Sequence, residues 1–235
     1  MSIDHIIFII VLLAAMFISY KAGKLTLAGT LTGGLLALFI FLGAGFTGIA
    51  MLATFFVLSV MATSHRKKEK SILTIDIHQK RNAGQVLANG AVAALFGLLM
   101  FLVADLSPLF AVLMAAALAS ATADTLSSEL GTLYGSRFYN IVTFKPDERG
   151  RDGVVSVAGT LIGIVGAAVI AIVYGLGFGF KIDCLYIIIA GTVGSLTDSV
   201  LGATLERKGE LNNDAVNFSN TVMSALTAFV LMLFK

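Results

Sequence analysis

Between Leu25 and Thr63 the chain carries no Asp, Glu, Lys, Arg or His, and Asn82 to Ala104, Gly153 to Phe180 and Ala215 to Phe234 are equally free of charge. Runs of this length define the solvent the chain folds in. A helix rises about 1.5 Å per residue, so about 20 apolar residues cross the hydrocarbon of a bilayer. Only helices and closed barrels satisfy their backbone hydrogen bonds there. The runs show no alternation of period two, which excludes a porin-type barrel. With 57% hydrophobic and 13% charged residues, the chain lies outside the range of soluble domains. The expected fold is all-α and polytopic.

Eight spans are predicted, at 3–20, 25–43, 47–63, 84–104, 108–130, 154–175, 183–205 and 214–234. The long first run is divided at Gly43-Ala44-Gly45-Phe46-Thr47-Gly48, where glycines suit a tight turn. Pro108 marks the first turn of span five. On this count, fourteen of the 16 Lys and Arg residues fall on one side, and only Lys181 and Lys235 on the other. Basic loops stay in the cytoplasm, so both termini are expected on the opposite face of the cell (inner) membrane. The amino terminus carries Asp4 and His5 and no basic stretch, unlike a cleaved signal peptide. The net charge of +2 follows from this topology and carries no nucleic-acid signal.

Residues 1–63 read as hydrophobic amino-terminal helices, with Gly29, Gly33 and Gly34 serving helix packing, and 64–235 as the unit that carries chemistry. The basic connection from Ser64 to Arg81 is expected to be solvated and to meet anionic lipid headgroups. A weak repeat of helical hairpins runs through the second unit. Ala123-Asp124-Thr125 resembles Thr197-Asp198-Ser199, and Arg151-Asp152-Gly153-Val154 resembles Asn213-Asp214-Ala215-Val216.

Polar residues collect where spans four to eight meet the basic side. Asn82, Gln85 and Asn89 form a helical stripe at the start of span four; Asp152, Ser156, Gly159 and Gly163 do so in span six. Asp214, Asn217, Thr221 and Ser224 do so in span eight. Interhelical hydrogen bonding is the competing explanation for the hydroxyls. Span five ends with Asp124, Ser128 and Glu129, and span seven with Asp198, Gly202 and Glu206. A carboxylate inside a span costs roughly 2.5–3.5 kcal/mol, and no basic residue lies within any span to pair with it. A bound cation is therefore the favoured partner of Asp124 and Asp198. Oxygen donors suit Mg²⁺. Zinc is disfavoured by a single cysteine, Cys184, read as a packing residue, and by scattered His5, His65 and His78. Arg137, Lys145, Arg149 and Arg151 in the loop after span five supply the cations that phosphate oxygens require. No Walker A or protein-kinase glycine motif is present.

Five segments recur in order in one membrane family. They are Arg81-Asn82-Ala-Gly-Gln-Val-Leu-Ala-Asn89-Gly90, Ala123-Asp124-Thr-Leu-Ser-Ser128-Glu129-Leu-Gly131, and Asp152-Gly153-Val-Val-Ser156-Val-Ala-Gly159-Thr160. Gly194-Ser-Leu-Thr-Asp198-Ser-Val-Leu-Gly202-Ala-Thr and Asn213-Asp214-Ala-Val-Asn217-Phe complete the set. Over residues 80–235 the chain resembles the family that contains plant phytyl-phosphate kinase, and more loosely CTP-using dolichol kinases and CDP-diacylglycerol synthases. The resemblance implies phosphoryl transfer from a nucleoside triphosphate, CTP among the candidates, to an isoprenoid monophosphate such as phytyl or geranylgeranyl phosphate. It implies that Asp124, Glu129, Asp198 and Asp214 hold Mg²⁺, with Asp124, Asp198 and Glu129 catalytic. It further places Arg81, Asn82, Asn89, Ser128, Asp152, Ser156, Asn213 and Asn217 around nucleotide and metal, and Lys145, Arg149 and Arg151 on phosphates. The alternative is a membrane carrier or lipid flippase, for which intramembrane acids and repeats are also expected.

Overall fold

The computed structural model describes residues 3–73 and 80–235 of the chain. Its elements are α1 (Ile3–Lys21), α2 (Leu27–Ser64), α3 (Lys67–Leu73), α4 (Ala83–Leu102), α5 (Ser107–Tyr134), α6 (Val157–Phe178), α7 (Ile182–Leu201) and α8 (Asn213–Leu233). Two short strands, β1 (Tyr139–Asn140) and β2 (Val154–Val155), pair antiparallel in the α5–α6 connection. A 3-10 turn, Ala104–Leu106, joins α4 to α5, and a π-helical turn, Gly202–Glu206, ends α7. His78 lies outside the described residues.

Among the described residues, seven helices are long and apolar enough to cross a bilayer, and one of them is broken within its length. The 38 residues of α2 would span about 57 Å if straight, at about 1.5 Å per residue. Yet Lys24 Nζ, just before the helix, donates to Ser64 Oγ at its far end across 2.9 Å. The reversal sits at Gly45, whose φ of 56° and ψ of −145° belong to glycine. Two antiparallel halves, 27–44 and 46–64, therefore make eight crossings in all, with the turn inside the glycine-rich segment expected for it.

The ends then sort without conflict. At one end, Lys24 meets Ser64, His65 Nε2 meets the Tyr134 hydroxyl at 2.7 Å, and the strand-like bridge Leu25–Arg81 joins the starts of α2 and α4. At the other end, His5 and Phe8 pack on the Phe41 ring, and Lys235 Nζ pairs with Asp183 Oδ1 at 2.6 Å. Both termini lie opposite the basic loops.

The centre of the bundle is α5. Every residue from Ala111 to Ala123 is buried, and α2, α4, α6, α7 and α8 all pack on this helix. Lipid tails are as apolar as leucine, so association in a bilayer rests on close van der Waals contact. A helix of alanines is thin enough for five neighbours to approach. Backbone meets backbone where Gly159 of α6 faces Gly131 of α5: a Cβ on Gly131 would stand 2.6 Å from the Gly159 Cα. By contrast α1 packs only along α2 and leaves most of its surface exposed to lipid.

Two local expectations change. Span six begins as a helix at Val157 with Ser156 as its N-cap, so Asp152 belongs to the preceding loop and not to a helical stripe. Asn82 and Gln85 form a capping box at the start of α4, each side chain bonding the other's backbone N–H at 3.0 Å.

A chain that reverses at Gly45 predicts proximity that a straight helix forbids. With Cys184 replaced by serine, Lys24→Cys and Ser64→Cys should be joined by a short bis-thiol reagent in intact membranes. Absence of that cross-link would restore a continuous α2 and seven crossings. Gly45→Val, forced into a conformation costing of order 1–3 kcal/mol, should lower the thermal midpoint of the detergent-solubilised protein.

Candidate functional site

Asp124 of α5 and Asp198 of α7 point into the same space, and their carboxyl groups meet side chain to side chain. The repeat noticed in the sequence is thus a contact in the fold. Asp198 is held from behind: Asn220 Nδ2 of α8 donates to Asp198 Oδ2 at 2.9 Å, and Ser120 Oγ of α5 donates to Asn220 Oδ1 at 3.0 Å. Ser120 and Asn220 are completely buried. Two carboxylates in contact repel unless a proton or a cation lies between them.

Above this pair opens a cavity of about 190 Å³. Asp124 and Asp198 form its floor with Ser195 and Ser199 of α7; Ser156, Gly159 and Thr160 bring the first turn of α6 to its wall. Asp152, Glu206 and Asn213 add polar groups. Ser128 and Arg151 stand at the exposed mouth. The lining ends in the bilayer at Ile164 of α6 and Thr192 of α7.

The mouth is shaped by the 135–156 loop, which is fastened at several points. Arg149 Nε donates to the Thr132 carbonyl and Nη2 to that of Leu133 at 3.0 Å, capping the carbonyl end of α5. Asn140 Oδ1 accepts from the backbone of Val142 and Thr143 at 3.0 Å each. Arg207, beyond the π-helical turn, reaches the Asp147 carboxylate at 2.8 Å and donates from Nε to the Asp152 carbonyl at 2.7 Å. Gly153, with φ of 69°, lies so close to Ala203 that a Cβ would come within 2.2 Å of its backbone nitrogen.

Of the residues expected at the site, the cavity gathers Asp124, Asp198, Ser128, Arg151, Asp152, Ser156 and Asn213. The others lie elsewhere. Glu129 sits about 140° around α5 from Asp124 at 100° per residue, and accepts from buried Lys70 of α3, which also caps the end of α2 through the Ala62 and Thr63 carbonyls. Asp214 rests against Gly84 in the first turn of α4, where the helix dipole favours a carboxylate. Asn82 caps α4, Asn89 Nδ2 donates to the Gln85 carbonyl at 3.0 Å, and Asn217 Nδ2 donates to Asn213. Arg149 is engaged with carbonyls, Lys145 is exposed on the loop away from the cavity lining, and Arg81 lines a separate pocket. Ser224 bonds the Ala116 carbonyl at 2.7 Å, as the interhelical reading of the hydroxyls expects.

Residues missed in the sequence include Asn220, Asp147 and Arg207. An amide in the middle of an uncharged span carries a cost of the same kind as the buried acids, and that argument points to Asn220. Asp147 and Arg207 sit in polar loops, where nothing local distinguishes them.

Among the described residues, no group of three His, Cys, Asp or Glu side chains converges as a complete metal cage. The donor set nonetheless fits Mg²⁺, which usually takes one or two carboxylates and completes its shell with water and substrate phosphates. Asp124 and Asp198 supply that pair.

Fold and site together define a polytopic membrane protein with a carboxylate-floored cavity at its basic end. Residues 10–225 match the family described as integral membrane protein DUF92, and the chain belongs to it. This is the family expected from the motifs. An uncharacterised membrane protein of Methanocaldococcus jannaschii is 34% identical over 226 residues, covering 94% of this chain and 90% of that protein. Protein PGR of Arabidopsis thaliana is 31% identical over 220 residues, 82% of this chain and 76% of its own length. Protein VTE6, chloroplastic, of the same plant is 29% identical over 199 residues; the match takes in 81% of this chain but 60% of that protein. No solved structure matches.

The Asp147 clasp has a defined pH dependence. The backbone N–H of Glu148 and then the Arg207 guanidinium hold its carboxyl below the usual carboxylate range. A lowered pKa contributes stability above the unfolded value of about 3.9, and that stability is lost as pH falls through the lowered one. Hydrogen-exchange protection of the 139–153 loop should therefore persist from pH 7 to pH 5. Asp147→Asn should weaken it severalfold already at pH 7; unchanged protection would remove the clasp from the account of the mouth.

Proposed function

We propose that this protein is a membrane-bound, Mg²⁺-dependent kinase that transfers a phosphoryl group from a nucleoside triphosphate to an isoprenoid monophosphate. The observation that carries the reading is the contact of Asp124 with Asp198 beneath the first turn of α6. It is supported by membership of a family that contains plant phytyl-phosphate kinase. The reaction joins an oxygen of the prenyl monophosphate to the γ-phosphorus and breaks that phosphorus's bond to the β-phosphate oxygen, giving prenyl diphosphate and nucleoside diphosphate.

Asp124 and Asp198 would hold Mg²⁺, which would supply charge neutralisation for the reacting phosphates. Asn220 orients the Asp198 carboxylate by donating to Oδ2. The first turn of α6 turns its backbone N–H groups and positive dipole end toward phosphate oxygens. Arg151 at the mouth, with its side chain 53% exposed and only a long 3.6 Å ion pair to Asp147, would exchange that contact for the donor or acceptor phosphates. These groups act by positioning and electrostatics and need no covalent nucleophile.

Volume bears on the substrate's disposition. About 190 Å³ is below the roughly 300–1,000 Å³ of a site that encloses a whole small molecule. The cavity therefore takes the reacting phosphates, leaving the nucleobase at the aqueous mouth and the prenyl chain toward lipid between α6 and α7. In this reading the basic end faces the cytoplasm of the cell membrane, where nucleoside triphosphates are supplied.

Purified protein in detergent has no two compartments, so transport has no meaning there and turnover does. Prenyl monophosphate, Mg²⁺ and each of the four nucleoside triphosphates should yield prenyl diphosphate with at least one donor. Asp124→Asn and Asp198→Asn, which keep volume and remove charge, should lower kcat at least a hundredfold while thermal midpoints stay near wild type. Folded wild-type protein that is silent across a panel of prenyl lengths would overturn the enzyme and favour the carrier.

A further inference from the structure

A second cavity lies away from the acid-lined one, against the opposite flank of the basic end. It has about 110 Å³ and is lined by Gly23, Lys24, Val60, Thr63, Ser64, Lys67 and Arg81. The α1–α2 turn, the end of α2, the start of α3 and the residue before the α4 cap thus converge. Lys80 crosses its rim, with Cε 3.5 Å from where a Cβ on Gly23 would stand.

The cations are held together by the backbone and not merely by the charge bias of the loops. Thr26 N donates to the Arg81 carbonyl at 3.0 Å and Arg81 N to the Lys24 carbonyl at 3.1 Å, which pins Arg81 beside Lys24. Lys24 Nζ donates to Ser64 Oγ; Lys67 and the Arg81 guanidinium make no side-chain hydrogen bond among the described residues. Thr63 Oγ1 is buried with no hydrogen-bond partner among the described residues. Burial pushes the Arg81 guanidinium below its ordinary value, and the charge of Glu129 acts in the other direction. Glu129 is itself bound by Lys70, and among the described residues no carboxylate lines the pocket.

Like charges fixed this closely at a membrane boundary repel, and an anion that accepts several hydrogen bonds offsets the repulsion. We infer that this pocket is a phosphate-ester binding site, distinct from the cavity floored by Asp124 and Asp198. Its volume exceeds the about 10–15 Å³ that one water needs and admits a phosphoryl group. Lys24 and Lys67 supply point charges, Arg81 a planar fork, and Ser64 and Thr63 hydroxyl donors. Set at the end of α2, where the helix leaves the hydrocarbon, the pocket meets a phosphoryl group carried by a lipid headgroup as readily as one free in water.

Calorimetric titration of the full chain in detergent separates those sources. Inorganic phosphate is one probe; short-chain phosphatidic acid, with phosphatidylcholine of equal chain length as control, is the other. Saturable binding of phosphatidic acid alone identifies a lipid headgroup site, and binding of both a site open to free phosphate; either supports the inference. In both cases the exposed-side pair Lys24→Gln/Lys67→Gln should weaken binding at least tenfold. Arg81→Lys should retain more affinity than Arg81→Gln. Lys208→Gln, an exposed cation that lines neither cavity, should leave this binding unchanged. No saturable binding of either probe, or equal binding by the Lys24→Gln/Lys67→Gln variant, would overturn the inference and leave the proposed kinase activity untouched.

Discussion

A bilayer withholds the hydrophobic drive that assembles soluble cores, and the bundle depends on what replaces it: the thinness of α5. Alanines from Ala115 to Ala117, Ala119, Ala121 and Ala123 let five helices approach its axis at once. That crowding brings α7 and α8 near enough for Ser120, Asn220 and Asp198 to form one chain of hydrogen bonds ending at Asp124. The polar floor is therefore a product of apolar packing. A bulkier α5 would hold the carboxylates apart and leave each buried alone, which is the costlier state.

Most of the architecture was legible because lipid makes its demands in one dimension. Span length, the excess of basic residues on alternate loops and the glycines around Gly45 predicted eight crossings, and Lys24 meeting Ser64 confirms the reversal. The short strands were not legible. Tyr139–Asn140 and Val154–Val155 are two residues each, too short for any alternation to show, and the Asp147–Arg207 ion pair beside them joins residues 60 positions apart, which no local period records. For the same reason Asp152 reads as a helix-start residue in the sequence and is a loop residue in the fold.

The site divides by a similar rule. Asp124 and Asp198 were visible because acids in apolar runs need a reason. Glu129 was drawn in by its nearness in sequence, although five residues along a helix point a side chain well away from the first. Asn82, Asp214 and Arg149 were polar at helix ends, and helix ends have uses of their own: a cap, a dipole partner, a clamp on carbonyls. Sequence patterning identifies which residues are polar against expectation; geometry decides which of them serve a cavity and which serve a terminus.

The loop over the cavity is tied by Arg149 to the carbonyl end of α5 and by Arg207 to the far side of the α7 turn. One anchor lies on the helix that carries Asp124 and the other just past the turn that ends the helix carrying Asp198, so loop and floor form one mechanical linkage. Asp147 is the shared node of this linkage: it accepts from Arg207 at 2.8 Å and from Asn140 at 3.4 Å, so neutralising that one carboxylate loosens the loop's tip and its tie to Arg207 together.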